Sequence, residues 1–125
     1  MRLTSAIPVL RVADYAAARV FWTETMGFAL GEEGGEPPRF GTFHQGAATV
    51  FVDAWHGADS VLHAGWRAYF HCSDVDAMAL HLAGRGYPFE GPANAVYGMR
   101  ELTLRDPAGN LLCFGQELPA ASAES

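Results

Sequence analysis

Two stretches of nearly equal length decide the fold: Asp14-Tyr15-Ala16-Ala17-Ala18-Arg19-Val20-Phe21-Trp22-Thr23-Glu24-Thr25-Met26-Gly27, and Asp74-Val75-Asp76-Ala77-Met78-Ala79-Leu80-His81-Leu82-Ala83-Gly84-Arg85-Gly86. Each opens on an aspartate, whose carboxylate can accept the orphan N–H groups of a first helical turn. Each carries apolar residues at the three- and four-residue spacing of one helical face: Ala17, Val20 and Phe21 in the first, Val75, Met78, Ala79 and Leu82 in the second. Each stops on a glycine, and an aromatic residue follows, Phe28 or Tyr87. The chain is an internal repeat.

Working outward, a short apolar strand precedes each helix, at residues 7–12 and 66–72. Pro8 has no N–H to give a ladder, so the first of these strands is expected at a sheet edge or paired only partly with its neighbour. After the first helix, Phe28-Ala29-Leu30 begins a strand, residues 31–38 read as loop, and residues 40–43 and 48–53 form a hairpin around His44-Gln45-Gly46. Residues 54–65 read as irregular and exposed, with Trp55 among them. After the second helix come a strand at Tyr87-Pro88-Phe89, a Gly/Pro/Asn loop, and strands at 99–105 and 110–116. Asp106-Pro107-Ala108-Gly109-Asn110 is the turn between the last two. The order is β-α-β-β-β, twice. The expectation is an α+β chain, one domain of two βαβββ modules (about 5–60 and 64–117) with curved, mostly antiparallel sheets, outer helices and a frayed C-terminal tail.

Strand alternation sorts the side chains into two faces. Val50 and Val52, Ala68, Phe70 and Cys72, Leu102 and Leu104, and Leu112 and Phe114 belong to the helix-packed core. Thr49, Phe51 and Asp53, Arg67, Tyr69 and His71, Glu101 and Thr103, and Leu111, Cys113 and Gly115 face away. That second face mixes aromatic rings with a few charges, the make-up of a small-molecule site. Alternation leaves three readings open: a ligand trough, a solvated sheet face, or a dimer seam.

Composition narrows the function classes. Half of the 125 residues are hydrophobic and 18% are charged, enough apolar material for a core. No apolar run reaches membrane-spanning length, and the opening residues lack a signal-peptide core, so a cytoplasmic protein is expected. The net charge of -6 argues against nucleic acid. Cys72 and Cys113 lie in apolar strands and read as buried thiols. His44, His56, His63, His71 and His81 are scattered without a second ligand at useful spacing, and no nucleophile elbow, P-loop or dinucleotide fingerprint is present.

Several motifs together resemble the glyoxalase/bleomycin-resistance/dioxygenase (vicinal-oxygen-chelate) superfamily, and the bleomycin-resistance proteins within it. They are Leu3-Thr4-Ser5-Ala6-Ile7-Pro8-Val9-Leu10, Phe21-Trp22-Thr23, Met26-Gly27-Phe28, and Arg100-Glu101-Leu102-Thr103-Leu104-Arg105-Asp106-Pro107-Ala108-Gly109-Asn110. The resemblance spans nearly the whole chain apart from residues 31–38 and 54–65. The Asp-Pro-x-Gly-Asn turn is shared across the superfamily, whereas the opening motif is more specific to the drug binders.

The resemblance implies the two-module fold and, in the enzymes, four metal-ligand positions. Those positions here are Ile7, Phe51, Arg67 and Cys113. An alkyl chain and a phenyl ring have nothing to donate, and a guanidinium repels a cation. No metal and no cofactor are therefore expected. For the drug binders, the resemblance implies a homodimer that exchanges its N-terminal strand, with Pro8 in the exchanged arm, and drug held in grooves at the dimer interface. Phe40, Tyr69 and, with a one-residue offset, Tyr97 match the stacking positions, and Asp53 matches a small polar groove residue. His71 stands where those proteins have a tryptophan, and Tyr97-Gly98-Met99 replaces another.

The resulting expectation is a metal-free small-molecule binder, sequestering bleomycin-type antibiotics through Phe40, Phe51, Asp53, Arg67, Tyr69, His71, Tyr97, Glu101 and Cys113. Asp53 and Glu101 favour a cationic aromatic ligand, while Arg67 suits an anionic group. Two alternatives share the scaffold: a binder of another metabolite, and a lyase- or dioxygenase-like enzyme with an atypical metal site. His71 and Glu101 offer an acid–base pair for the last, although orienting a ligand is the plainer role for them.

Overall fold

The computed structural model describes residues 1–58 and 65–120. His63 and the tail beyond residue 120 lie outside them. The chain divides into two compact units: Met1–Leu62 with Asp106–Asn110, and His63–Arg105 with Leu111–Ser125.

In the first unit β1 is Val9–Arg11, α1 is Tyr15–Val20 continued by a π-helical turn at Phe21–Thr25, β2 is Ala29–Gly34, β3 is Phe40–Gln45 and β4 is Ala48–Asp53. In the second, β5 is Ala68–His71, α2 is Val75–Gly84, β6 is Glu90–Asn94, β7 is Met99–Arg105 and β8 is Leu111–Glu117. The sheets have the same plan, ordered β1-β4-β3-β2 and β5-β8-β7-β6. In each, the first strand runs parallel to the last and the other pairs are antiparallel. This is the expected βαβββ order, twice.

The two helices begin alike. Asp14 Oδ1 accepts from the Ala17 N–H at 3.1 Å, and Asp74 Oδ1 accepts from the Ala77 N–H at 3.0 Å. They also end alike, on glycines in the left-handed region: Gly27 at φ 73° and Gly86 at φ 69°. After α2, the Tyr87 N–H reaches back to the Leu82 carbonyl and the Gly86 N–H to that of Ala83, closing a Schellman cap. After the π turn, the Phe28 N–H reaches the Trp22 carbonyl, one residue further back, because the wider turn takes up one more residue.

The expected core faces hold except at Ala68 and Cys72, which are only half-buried near the ends of β5. Val50, Val52, Leu102 and Leu112 are fully buried, with Phe70, Leu104 and Phe114 nearly so. In the first unit the core is aromatic: Phe21 and Phe28 both meet Trp22 edge-on, at 5.1 and 4.9 Å between centroids. In the second, Phe70 stacks on Phe114 at 4.9 Å. Val20 departs from its expected place: Ala18 and Phe21 turn inward while Val20 is exposed.

The edge strands also differ from the sequence reading. Residues 31–34, read as loop, extend β2 to Gly34, and the strand expected at residues 87–89 lies instead at Glu90–Asn94. Glycine, proline and glutamate have low strand propensity, but both segments are edge strands that pair with one neighbour across a bulge, between Leu30 and Glu33 and between Glu90 and Ala93. A bulged edge accepts Gly31, and likewise Gly91-Pro92, where a central strand would not. β1 and β5 are shorter than expected. Pro8 lies just before β1, at the sheet edge, where its carbonyl accepts from the Phe51 N–H.

The Asp106–Asn110 turn belongs to the first unit. Buried Asp106 accepts from the backbone N–H groups of Ala108 and Asn110 and from Asn110 Nδ2, and Asn110 Nδ2 also donates to the Arg11 carbonyl at 3.0 Å. Removing the amide strands buried acceptors. We expect Asn110→Ala to lower unfolding free energy by roughly 1–3 kcal/mol, seen in urea as a lower midpoint with unchanged slope.

Candidate functional site

Since the helix covers one face of each sheet, the other face carries the remaining alternate side chains. In the first unit, strand register places Phe40 opposite Asp53 and Thr42 opposite Phe51. Phe40 meets Phe51 edge-on at 5.5 Å and stacks on Trp55 at 5.4 Å with ring planes 10° apart. Trp55 is 46% exposed, so the stack presents an indole at the surface.

The segment bearing Trp55 is held from two sides. Asp53 Oδ1 accepts from the Trp55 N–H at 2.8 Å, and Oδ2 pairs with His56 Nδ1 at 2.6 Å. Arg11 donates to the carbonyls of His56 and Gly57 at 2.6 and 3.0 Å. Asp53 is 9% exposed. Its burial alone would raise its pKa, but the hydrogen bonds from His56 and from the Trp55 N–H, with the His56 charge, outweigh that and hold it below the usual range. The sequence placed Asp53 in a groove as a polar contact. In the structure its carboxylate is engaged by its own loop.

In the second unit, Trp66 and Tyr69 lie 5.1 Å apart and Tyr69 meets the His71 ring at 5.5 Å. Register puts Tyr69 beside Cys113, and both His71 and Glu101 beside Gly115. Gly115 has a steric reason: a Cβ there would collide with the Tyr69 hydroxyl. The phenol therefore lies over the glycine toward Glu101. Its oxygen is buried and lacks a partner of good hydrogen-bond geometry. Burial first, then the nearby Glu101 carboxylate, hold its proton on well above the ordinary tyrosine range. The Tyr97 hydroxyl donates to both Glu101 oxygens at 2.7 Å, which raises its pKa to about 12. Cys113 is fully buried, and burial, then the Glu101 charge, push its thiol up to about 12. Such a thiol stays protonated near neutrality and is a poor nucleophile.

Eight of the nine predicted positions thus fall into two groups. Phe40, Phe51 and Asp53 come together in the first unit. Tyr69, His71, Tyr97, Glu101 and Cys113 come together in the second. Arg67 stands just before β5, its N–H donating to the Leu111 carbonyl. His71 and Glu101 flank Gly115 without a hydrogen bond between them, because β8 stands between the strands that carry them. Sequence reading missed Trp55 and Trp66 as face residues. Trp55 follows Asp53 by two positions and His56 by three, an arrangement suited to a local carboxylate-anchored turn. A cavity of about 470 Å³ in the second unit, at the Arg105 end of β7, is lined by Phe89, Glu90 and Leu111 among others and includes none of the nine.

The donor set implied by the metalloenzymes does not fit a metal. Ile7 and Phe51 bring no lone pair, Arg67 brings a fixed positive charge, and Cys113 brings a thiol that keeps its proton. Among the described residues no three His, Cys, Asp or Glu side chains gather where they would hold an ion.

Residues 5–114 match the family model described as Glyoxalase/Bleomycin resistance protein/Dioxygenase superfamily. Solved structures share the fold. An antibiotic binding protein, TnmS3, from Streptomyces sp. CB03234 is 26% identical, with TM-score 0.78 and 94% of this chain and 98% of that one covered. A bleomycin-binding protein from Streptomyces verticillus, complexed with copper(II)-bleomycin, is 24% identical, with TM-score 0.72 and coverages of 91% and 96%. A lactoylglutathione lyase from Agrobacterium tumefaciens is 21% identical, with TM-score 0.72 and coverages of 90% and 92%. Among curated protein sequences, none matches.

The Asp53 anchor makes a pH prediction. A depressed carboxylate contributes stability above its ordinary pKa, about 3.9, and loses it as pH falls through the lower folded value. Asp53→Asn should be less stable than wild type at pH 7 by on the order of 1 kcal/mol, and the gap should narrow as pH falls below the ordinary aspartate range. Urea unfolding across a descending pH series checks this.

Proposed function

This chain belongs to the Glyoxalase/Bleomycin resistance protein/Dioxygenase superfamily, and on that premise we propose that it is a metal-free binding protein that sequesters bleomycin-type antibiotics. One observation carries the reading. The helix-free faces bear aromatic rings, Trp55 on Phe40 in one unit and Trp66, Tyr69 and Tyr97 in the other, where a catalytic member of the family would need a ligand set. Flat rings offer stacking area to a planar drug without changing it chemically. The likeness to TnmS3, itself an antibiotic binding protein, supports the same direction. The enzyme reading is weaker because its ligand positions hold Ile7, Phe51 and Arg67.

The proposed assembly is a cytoplasmic homodimer that exchanges N-terminal strands. Support comes from exposed Met1, Leu3, Ile7 and Val9, and from β1 standing at a sheet edge where an arm can be replaced by its copy. No helix among the described residues is long and apolar enough to cross a membrane.

A second reading keeps the scaffold and changes the ligand. His71 and Tyr97 stand where the resemblance places tryptophans, and smaller rings offer less stacking area. A different metabolite then fills the site.

Calorimetric titration of bleomycin into the purified protein, at low and moderate salt, tests the first reading. Saturable binding near one drug per subunit is expected. Trp55→Ala should weaken it by about tenfold, roughly 1.4 kcal/mol. Absence of both heat and thermal shift overturns the drug assignment, and a thermal-shift response to a metabolite but not to bleomycin selects the second reading.

A further inference from the structure

Glu101 is a half-buried carboxylate on β7, surrounded by rings. Among the described residues no arginine or histidine forms an ion pair with it; the pairs there are Arg19 with Glu33, His56 with Asp53, and Arg100 with Asp76. The chain has no lysine at all. Arg100, its neighbour along the strand, is directed elsewhere, its guanidinium bound to Asp76 and Asn94. A partly desolvated charge without a counter-charge is costly to keep, and structures keep one where a ligand supplies the opposite sign.

What covers Glu101 is weak and removable. The Tyr97 phenol donates one proton shared between both carboxylate oxygens, each at 2.7 Å. Tyr97 is 60% exposed and sits at the tip between β6 and β7, beside fully exposed Val96. Both oxygens thus share one donor that is itself exposed to solvent. The Tyr69 hydroxyl and the buried Cys113 thiol also approach Glu101, but both keep their protons beside it and bring no positive charge. Two N–H donors in a plane match a carboxylate's two oxygens better than one phenol does, and they bring the missing charge. Aromatic rings beside the same spot favour a cation over a neutral isostere.

We propose that Glu101 is the receptor for a planar cationic group, an amidinium, guanidinium or aromatic ammonium, and that Tyr97 is a cap which the ligand displaces. The inference deepens the small-molecule reading above and rests on it for the role of this face. It names the charge and shape of the ligand part that docks in the second unit. It also gives Tyr97 a part distinct from stacking: the cap competes with the ligand.

The test compares benzamidine, a planar cation, with its neutral isostere benzamide by calorimetric or NMR titration at pH 7.5. In wild-type protein benzamidine should bind about tenfold more tightly than benzamide, with the preference shrinking as salt rises. Glu101→Gln should abolish the preference, bringing benzamidine binding down to the level of benzamide. Tyr97→Phe, which keeps the ring and removes the hydroxyl, should strengthen benzamidine binding by about threefold. Equal binding of the two probes to wild type overturns the proposal without recourse to any variant, as does a preference that survives Glu101→Gln. Weaker benzamidine binding by Tyr97→Phe overturns the cap. Bleomycin titrated into the same wild-type protein separates the two ideas. Drug binding without a benzamidine preference leaves sequestration standing and removes the Glu101 receptor; the reverse result removes sequestration and keeps the receptor.

Discussion

One helix covers one face of a four-stranded sheet, and every strand must place alternate side chains on the face left over. The rest of the structure depends on that constraint. It obliges Val50, Val52, Leu102, Leu104, Leu112 and Phe114 to build the cores, and it commits Phe51, Tyr69, Glu101 and Cys113 to the opposite side. A register slip by one residue would exchange the two sets, setting Glu101 against a core and Leu102 toward water. The capping aspartates and the stop glycines matter because they fix where each helix starts and ends over its sheet.

Much of this was legible in the sequence because the signals were local and repeated. Asp14 and Asp74 announce helices through their own hydrogen bonds, and strands β4 and β7 alternate, whereas β8 buries the successive residues Leu112 to Gly115. The edge strands were not legible. β2 and β6 are made of residues that favour loops, and what makes them strands is the backbone of β3 or β7 alongside, supplied by tertiary structure rather than by propensity. The widened turn at Phe21–Thr25 likewise had no signature in spacing: apolar residues one and four apart suit either winding.

The candidate site was legible as a set of residue types on a face, and less so as a set of jobs. Asp53 was found as a polar residue of the face, but sequence cannot show that its two oxygens are engaged by the Trp55 N–H and by His56. Once that engagement is seen, Trp55 becomes the residue presented and Asp53 the group that places it. Gly115 shows the opposite case. It reads as a gap in an apolar strand, and only the position of the Tyr69 phenol reveals that the gap is required.

The chemistry of the face follows from what its residues cannot do. Ile7 and Phe51 bring no lone pair, and the Cys113 thiol keeps its proton because burial and the Glu101 charge both oppose the thiolate. Polarising a substrate through a bound cation needs donors that this set does not provide. What remains is area and charge. Stacked rings supply area and are tolerant of ligand identity. On the proposed reading, a single carboxylate with no ion-pair partner among the described residues supplies direction, since attraction between opposite charges in a partly desolvated setting outlasts that at an open surface. If Glu101 is the receptor proposed above, selectivity on such a face is decided less by the number of aromatic residues than by whether Glu101 meets a positive group, so that an exchange of Trp for Tyr or His would alter the strength of binding while the carboxylate would continue to set its sign.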